Sequence, residues 1–309
     1  MNPPLVTVIM NCLNGEEFLR PALDSVFAQR FEDWEIVFWD NCSNDQSGEI
    51  ARSYGDRIRI FRGDRVIPLS AGRQCASQRA LGKYLALLDT DDLWHPDFLS
   101  ATVARLENNP ACAIVWTDAW QIGADGARLR RYSQFTPFYR GFQFERLLRE
   151  QFISPSSAMV FRAEAVRDVG GWDADFTMMA DAELLLRLAS CYQIDFCPEA
   201  LSSWRSHGSN ASDRIIQCWQ EWKALLRKWR TPPRRHLAPA AAYGQYALRI
   251  NLKLAVAAFR WSGYGEVVKS LARAGAIVAR HPSLALAIPS MARNHFPMDR
   301  RRFRPQSAR

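Results

Sequence analysis

The chain has 309 residues, of which 48% are hydrophobic and 23% charged, close to the ~45–50% and ~25% of ordinary globular proteins. This balance excludes disordered, collagen-like and disulfide-scaffold proteins. No apolar run approaches the ~20 residues that span a membrane, and the segment from Met1 to Leu5 lacks the plan of a signal peptide. We therefore expect a cytoplasmic protein, with peripheral attachment to the inner face of the plasma membrane as an alternative.

The net charge of +8 is unevenly distributed. Residues 204–309 hold 20 of the 40 basic residues but 4 of the 32 acidic ones, so the preceding part is acidic. Within residues 204–309, Lys and Arg are interspersed with Trp and Phe, a pattern that favours contact with an anionic membrane surface. A solvated helical face is the alternative. No nucleic-acid-binding module accompanies the charge, so we expect no nucleic-acid partner.

Short apolar runs alternate with helical patterns through the first two thirds of the chain. Residues 6–10 and 35–39 lack apolar-polar alternation, as in strands that are covered on both faces. Between them, Asn14 followed by Glu17 predicts a helix that begins with a capping box. The predicted elements that follow are a helix at 43–54, a strand at 57–62, a helix at 73–82, a strand at 84–88, a helix from Pro96 and a strand at 113–116. This order predicts an open, doubly wound α/β sheet with ligands at the carboxyl ends of its strands.

After about residue 205 the apolar period is helical only. Apolar residues recur there at steps of three and four, which predicts two paired helices separated by Pro232-Pro233. The recurring apolar residues are Ile215, Trp219, Trp222, Leu226 and Trp229 in the first helix, and Leu248, Leu252, Ala255 and Phe259 in the second. A third helix is predicted at 264–280, before a mobile, Arg-rich tail that includes Arg300 to Arg304.

The segment Leu88-Asp-Thr-Asp-Asp-Leu-Trp-His-Pro96 puts three carboxylates at the end of a predicted buried strand. Like charges at ~4 Å repel by about 1 kcal/mol in water and by more near a protein surface, so a divalent cation is the natural means to keep them ionised. Oxygen ligands favour Mg²⁺ or Mn²⁺, which typically bridge carboxylates to substrate phosphates. This pattern therefore indicates a nucleoside diphosphate. The alternative is an acidic helix cap, which needs only one carboxylate.

A second polar cluster, Trp39-Asp-Asn-Cys-Ser-Asn-Asp45, follows another predicted buried strand. Asp40 and Asn41 lie at the strand end, where such a pair can hydrogen-bond the edge of a base. A local role in a turn or a helix cap is the alternative for Asn44 and Asp45.

Four motifs in this order resemble family 2 glycosyltransferases, of the non-processive kind that builds bacterial surface polysaccharides and has the GT-A fold. They are Val6-Thr-Val-Ile-Met-Asn-Cys-Leu-Asn14, Glu35-Ile-Val-Phe-Trp-Asp-Asn-Cys-Ser-Asn-Asp45, Arg73 to Gly82 leading into Leu88-Asp-Thr-Asp-Asp92, and Gly170-Gly-Trp-Asp173 ahead of Ala180-Asp-Ala-Glu183. The resemblance implies a catalytic domain over residues 1–210, with a nucleotide-sugar half to about 120 and an acceptor half over 121–210. Residues 211–309 form a basic helical extension.

The resemblance also implies roles for the clustered residues. The pair Asp40-Asn41 corresponds to the family's contact with a pyrimidine base, although the second family aspartate is an asparagine here. In the Asp-x-Asp motif Asp89 contacts the ribose and, with Asp91, the metal, and Asp92 adjoins them. The resemblance also places Asn11, Leu13 and Arg73 in the donor site. For Arg73, a surface salt bridge is the alternative.

Asp181 matches the family's catalytic base, which removes the proton of the acceptor hydroxyl. A helix cap is its alternative, and Glu183 is the fallback base. The element Ser203-Trp-Arg-Ser-His207 resembles the end of such domains. There His207 is a candidate for the metal or the diphosphate, and Arg205 is a candidate for phosphate. Trp172 is a candidate for stacking on an acceptor sugar. For His207 and Trp172, a purely structural role stays open.

The expected activity is inverting transfer of a sugar, dependent on Mn²⁺ or Mg²⁺, from a UDP or dTDP donor. The acceptor is a hydroxyl of a cell-surface polysaccharide or a lipid-linked glycan. The Gln-x-x-Arg-Trp motif of processive members is absent, which favours single-sugar transfer. One alternative is a sugar nucleotidyltransferase, but the segment Asn11 to Glu17 lacks the basic, Gly-rich loop that this chemistry needs. The other is a non-catalytic homologue that binds nucleotides or glycans.

Overall fold

A computed structural model of the protein describes residues 3–134, 136–150, 155–207, 215–230, 242–245, 247–248, 251–252, 264–280, 282 and 284. The strands are β1 (Val6–Cys12), β2 (Trp34–Asp40), β3 (Ile58–Arg62), β4 (Tyr84–Leu87), β5 (Leu93–Trp94), β6 (Cys112–Ile122), β7 (Arg128–Arg131), β8 (Met159–Arg162) and β9 (Gln193–Arg205). The helices are α1 (Glu16–Phe27), α2 (Ser47–Arg52), α3 (Leu69–Ser77), α4 (Phe98–Asn108), α5 (Phe144–Glu150), α6 (Ala163–Asp168), α7 (Ala180–Cys191), α8 (Ile215–Arg230) and α9 (Tyr264–Arg280).

The strands form one nine-stranded sheet in the order β3-β2-β1-β4-β8-β6-β9-β5, with β7 paired to β6. The first four strands in this order are parallel to one another, whereas β8 is antiparallel to both β4 and β6. The α/β architecture predicted from the sequence is confirmed. Because β1, β2 and β4 are parallel, the segments that follow them lie at one edge of the sheet.

Strands β1 and β2 are continuously buried, and each lies between two neighbouring strands of the sheet. Every residue of β2 is buried, and in β1 only Asn11 is partly exposed. The main core packs these strands against α1 and α4, with Leu19 and Leu99 completely buried. Helix coverage of both faces of a sheet requires apolar side chains on both sides of a strand, which is what these runs supply.

Helices α2 and α4 begin at Ser47 and Phe98, a few residues after their predicted starts. Two other helix starts also differ from the sequence prediction. Helix α1 begins at Glu16 without a side-chain cap, so the predicted capping box is wrong. Asn14 instead has a left-handed backbone, with φ of 55°, and its Oδ1 accepts a hydrogen bond from the backbone N–H of Asn44 at 2.9 Å. Helix α3 begins at Leu69 rather than at residue 73, so Arg73 lies inside the helix.

The chain divides into two compact units, Met1–Tyr246 and Ala247–Arg309. The predicted boundary at residue 210 therefore lies inside the first unit, which includes α8. In the second unit α9 matches the predicted third helix, and Leu248, Ala274 and Leu284 form a small buried cluster. Ala255, Phe259 and the Arg-rich tail lie outside the described residues. Within the described parts of the chain, no helix combines the length and apolar character needed to cross a membrane.

Candidate active site

A cavity of about 930 Å³ lies where β1, β2 and β4 end. Its walls come from the loop after β1, the segment 66–69, helix α3, the acidic turn after β4 and the start of α7. Among the residues proposed from sequence, those that line it are Asn11, Leu13, Asn41, Arg73, Asp89, Asp91, Asp92, Asp181 and His207. The fold therefore brings together side chains that are up to 196 residues apart in the sequence.

Arg73 joins two of the acidic residues. Its Nη1 donates to both carboxylate oxygens of Asp181 at 2.6 Å, and its Nη2 donates to Oδ1 of Asp89 at 2.6 Å. The Arg73 side chain is 3% exposed. Burial lowers its pKa, but the charges of Asp181 and Asp89 outweigh burial and raise the pKa above its usual value. This arginine is thus a fixed cation between the two carboxylates.

Asp181 lies in the first turn of α7 with several donors around it. Besides Arg73, Ser156 Oγ donates to Oδ2 at 2.6 Å and the Trp172 indole N–H points at Oδ1 at 3.3 Å. Burial raises the pKa of this carboxyl group, but the charge of Arg73 and these hydrogen bonds lower it overall. Asp181 is therefore ionised, as a proton acceptor must be.

Asp91 and His207 lie next to each other in the wall of the cavity. The Asp91 Oδ2 atom lies 2.9 Å from His207 Nε2, and the imidazole packs against the ring of Phe18 at 5.1 Å. The Asp91 side chain is 28% exposed, so this carboxylate is accessible to a ligand. The neighbouring carboxyl group of Asp89 has a raised pKa, chiefly from burial and also from the charges of Asp91 and Asp181, against the opposing effect of Arg73.

The donor set of this corner suits a divalent cation. Carboxylate oxygens and an imidazole nitrogen are ligands of Mn²⁺, and a cation would relieve the repulsion among Asp89, Asp91 and Asp181. No group of three or more metal-ligating side chains is already assembled among the residues that the structure describes. A cation held by one or two carboxylates and by substrate phosphates fits such a partial site.

Asp92 does not present a ligand to the cavity as the sequence suggested. Its side chain accepts from Ser157 Oγ at 2.6 Å and from the backbone N–H of Arg205 at 2.8 Å, so both carboxylate oxygens are engaged. The residue is 1% exposed. Burial, together with the charges of Asp91 and Asp89, raises its pKa well above the usual value. Asp92 therefore connects the acidic turn to β9 instead of coordinating a cation.

Asp40 and Asn41 shape the cavity instead of presenting free groups to it. Asp40 does not line the cavity, because its carboxylate accepts from the backbone N–H of Ser43 at 2.8 Å and pairs with Arg62. The Asn41 amide donates to the carbonyl of Ile67 at 2.8 Å and accepts from its N–H at 3.0 Å. It thereby fixes the wall segment 66–69. In contrast, the buried Oδ1 of Asn11 has no hydrogen-bond partner among the residues that the structure describes.

Residues 7–170 match the sequence profile of the family described as Glycosyl transferase family 2. The chain belongs to this family. Among curated relatives, it is 31% identical over 68% of its length to protein y4gI of Sinorhizobium fredii, of which the match spans 23%. It is 30% identical over 42% of its length to the putative teichuronic acid biosynthesis glycosyltransferase TuaG of Bacillus subtilis, of which the match spans 52%. The predicted family is thus confirmed.

Solved glycosyltransferase structures share the fold. The structure of S. aureus TarS 1-349 in complex with UDP-GlcNAc superposes with a TM-score of 0.68 at 14% identity, covering 86% of this chain and 79% of the TarS 1-349 chain. Mannosyltransferase PcManGT from Pyrobaculum calidifontis, in complex with GDP-Man and Mn²⁺, gives 0.61 at 19% identity, covering 94% and 85%. At these identities the likeness establishes the GT-A fold alone.

Three weaker site predictions for this family 2 chain are not supported by the geometry, because none of these residues lines the cavity. Trp172 is 2% exposed and packs edge-on against Phe161, so its indole supports Asp181 from behind and offers no face to a sugar. Glu183 is completely buried and paired with Arg187, which removes the fallback base. The Arg205 Nε donates to the backbone carbonyl of Asp91 at 2.8 Å, inside the protein.

Sequence reasoning also missed residues that hold the site together. Ser157 Oγ donates to Asp92 and accepts from the backbone N–H of Asp89 at 3.0 Å, which fixes the acidic turn. Ser156 donates to Asp181. Glu221 of α8 contacts the segment before Asp181. No motif surrounds these residues, and their partners are more than 24 positions away in sequence, so no local signal was present.

Proposed function

We propose that the chain is an inverting, metal-dependent glycosyltransferase that moves one sugar from a nucleoside-diphosphate donor to an acceptor hydroxyl. The observation that carries this proposal is one cavity that is lined by Arg73, by its partner Asp181 and by the pair Asp91–His207. One side offers an ionised base and the other a partial cation site, which are the two groups that inverting transfer needs.

Asp181 is the proposed base. Its carboxylate removes the proton of the acceptor hydroxyl as the hydroxyl oxygen bonds to the anomeric carbon and the diphosphate departs. Arg73 lies beside this carboxylate and can donate to diphosphate oxygens, because a guanidinium forms paired hydrogen bonds with phosphates. Ser156 and Trp172 keep the carboxylate oriented through their hydrogen bonds to it.

Asp91 and His207 would hold the divalent cation, with Asp89 as the further carboxylate at this corner. When bound, Mn²⁺ or Mg²⁺ neutralises the charge that develops on the departing diphosphate. This assignment is supported by the partly exposed Asp91 carboxylate and by the raised pKa of Asp89, which comes chiefly from burial and also from the nearby charges of Asp91 and Asp181. The Mn²⁺ in the PcManGT complex makes this cation a reasonable first choice.

The donor is proposed to be a UDP or dTDP sugar. The family resemblance favours a pyrimidine base, and the TarS complex contains UDP-GlcNAc. The GDP-Man bound by PcManGT makes guanine the main competitor. Asn11 is the donor-site candidate that can receive a base N–H, because its buried Oδ1 accepts no hydrogen bond from the described part of the chain.

The acceptor is proposed to be a surface polysaccharide or a lipid-linked glycan, reached from the cytoplasmic side. The teichuronic acid name of TuaG supports a polysaccharide pathway. Helix α9 exposes Val268 and Leu271 at 64% and 50%, and Lys269 and Arg273 are nearby in its sequence. Apolar and basic side chains together are typical of helices that lie on anionic membranes.

The proposal is tested with water in place of the unidentified acceptor. The purified chain is incubated with UDP-, dTDP- and GDP-sugars with and without Mn²⁺, and proton NMR follows the anomer first released. We expect Mn²⁺-dependent hydrolysis of a pyrimidine donor with inversion, lost in Asp181→Asn. Release with retained configuration would contradict an inverting mechanism. Nucleotide binding without hydrolysis of any donor would favour the non-catalytic alternative.

A further inference from the structure

Helix α8 is packed against the catalytic unit through a face that includes charged residues. Leu225 and Trp229 are buried, and the Trp229 indole lies 5.0 Å from the ring of Phe144. These two residues share one helix face with Glu221 and Lys228, because positions 221, 225, 228 and 229 have the i, i+4, i+7, i+8 spacing of such a face. Burying a charged side chain on a packed face costs free energy unless the charge is paired. The partners of Glu221 and Lys228 therefore identify the segment that α8 contacts.

Lys228 fixes the two ends of the segment that leads into α7. Its Nζ pairs with the carboxylate of Asp173, before the segment, and lies 2.6 Å from Oε1 of Glu183, inside α7. Glu183 is completely buried and also paired with Arg187. The lysine therefore connects α8 to both ends of this segment.

Glu221 binds the middle of the same segment. Its Oε2 accepts from the backbone N–H groups of Thr177, Met178 and Met179 at 2.8, 2.7 and 2.9 Å. Helix α7 has no side-chain cap of its own at Met179. Glu221 accepts from the N–H of Met179 and from those of the two residues before it, so it binds the backbone at the entry to the helix. A carboxylate here also interacts favourably with the helix dipole.

The residues held by Glu221 are part of the site. Thr177, Met178 and Met179 line the cavity, and Asp181 follows two positions later in the first turn of α7. A shift of this segment moves the carboxylate of Asp181 relative to Arg73 and Ser156. Misplacement by about 1 Å can lower a reaction rate by about a hundredfold.

We infer that Glu221 is a positioning residue for Asp181, acting through the backbone of Thr177, Met178 and Met179 from a helix outside the matched family region. Lys228 provides its anchorage. This inference rests on the proposed function, since it assigns Glu221 to the placement of the proposed base. It makes the first helix of the basic C-terminal region a component of the active site.

The test compares Glu221→Ala, Glu221→Gln and the exposed neighbour variant Gln220→Ala in the full chain. Hydrogen exchange monitored by mass spectrometry reports the amides of residues 177–179, and donor hydrolysis in Mn²⁺ reports turnover. In Glu221→Ala we expect these amides to exchange at least about tenfold faster, because bonds to a charged acceptor are lost. We also expect kcat to fall about tenfold or more with an unchanged donor KM.

Glu221→Gln separates positioning from general stability. Its amide oxygen still accepts hydrogen bonds, so exchange protection and kcat should recover together, whereas Gln220→Ala should match the wild type. The inference is overturned if Glu221→Ala keeps wild-type kcat, if only donor KM changes, or if protection and kcat do not recover together in Glu221→Gln. If the wild-type chain binds nucleotide but hydrolyses no donor, the proposed function is overturned. The positioning role of Glu221 then falls with it, even if hydrogen exchange shows that Glu221 protects the amides of residues 177–179.

Discussion

Arg73 holds both carboxylate oxygens of Asp181 at 2.6 Å, although the two residues are 108 positions apart in the sequence. The same guanidinium reaches Asp89, so one cation connects the proposed base to the acidic turn. A diphosphate that binds at Arg73 would compete with Asp181 for its N–H groups. The base and the donor site are therefore coupled through this side chain, and the variants below probe the coupling.

Replacement of Asp181 by Asn should abolish turnover while it leaves nucleotide binding intact. An amide cannot take up the acceptor proton, so donor hydrolysis should fall by ~10²–10⁴-fold, the usual contribution of a general base. Stopped assays of hydrolysis and calorimetric titration of UDP measure the two properties. The exposed neighbour variant Asp175→Asn is the control. Equal turnover in Asp181→Asn and the control would remove Asp181 from the mechanism.

Replacement of Arg73 by Met should change both the pH profile and the stability. The charge of Arg73 lowers the pKa of Asp181 against the effect of burial, so its loss should move the acidic limb of kcat/KM for donor hydrolysis to higher pH. Removal of one partner of a buried ion pair should also lower the free energy of unfolding by ~3–5 kcal/mol. Urea denaturation measures this loss, with the exposed variant Arg167→Met, outside the cavity, as the control. An unshifted acidic limb would show that Arg73 does not tune the base.

Asp92 should make the metal-free protein less stable as the pH rises. Its pKa is raised in the folded state above the ordinary value of 3.8, so the folded state binds the proton more tightly. That contribution is present at low pH and is lost as the pH rises from the unfolded toward the folded pKa. The melting temperature of Asp92→Asn relative to wild type should therefore increase with pH over this window. A melting-temperature difference that stays constant with pH, or that the exposed control Asp64→Asn also shows, would contradict this prediction.

His207 should affect nucleotide binding only when metal is present. Loss of the imidazole next to Asp91 removes one proposed ligand, so His207→Ala should weaken Mn²⁺-dependent binding of UDP by about tenfold or more. Binding without Mn²⁺ should not change. Calorimetry on this variant and on His95→Ala, whose side chain is 48% exposed, distinguishes the outcomes. An equal loss with and without Mn²⁺ would assign His207 to the nucleotide or to packing.

The fold and the acidic centre could be predicted because their signals are local. Buried strands such as β2 are continuous apolar runs, and the carboxylates of Asp89 and Asp91 directly follow a strand whose end lies at the ligand-binding edge of the sheet. Asp181 was found through its short motif at the start of a helix. Each of these features is contained within about ten neighbouring residues.

Features that depend on distant partners could not be predicted. Asn14 has the sequence context of a helix cap, but its side chain binds Asn44 of another loop. Asn41 has the type and position of a base contact, yet its amide pairs with the backbone of Ile67. Glu221 lies within an amphipathic helix whose polar residues are expected to face solvent. In each case the competing partner comes from a separate segment, which the hydrophobic pattern does not specify.

The proposed activity depends on a nucleotide site that requires a metal ion and Asp91. The most direct measurement is calorimetric titration of UDP, dTDP, GDP and CDP, each with and without Mn²⁺, into the wild type and Asp91→Ala. We predict Mn²⁺-dependent binding of a pyrimidine nucleoside diphosphate that disappears in the variant. Binding that is the same without Mn²⁺ and in Asp91→Ala, or no binding of any nucleotide, would contradict the account.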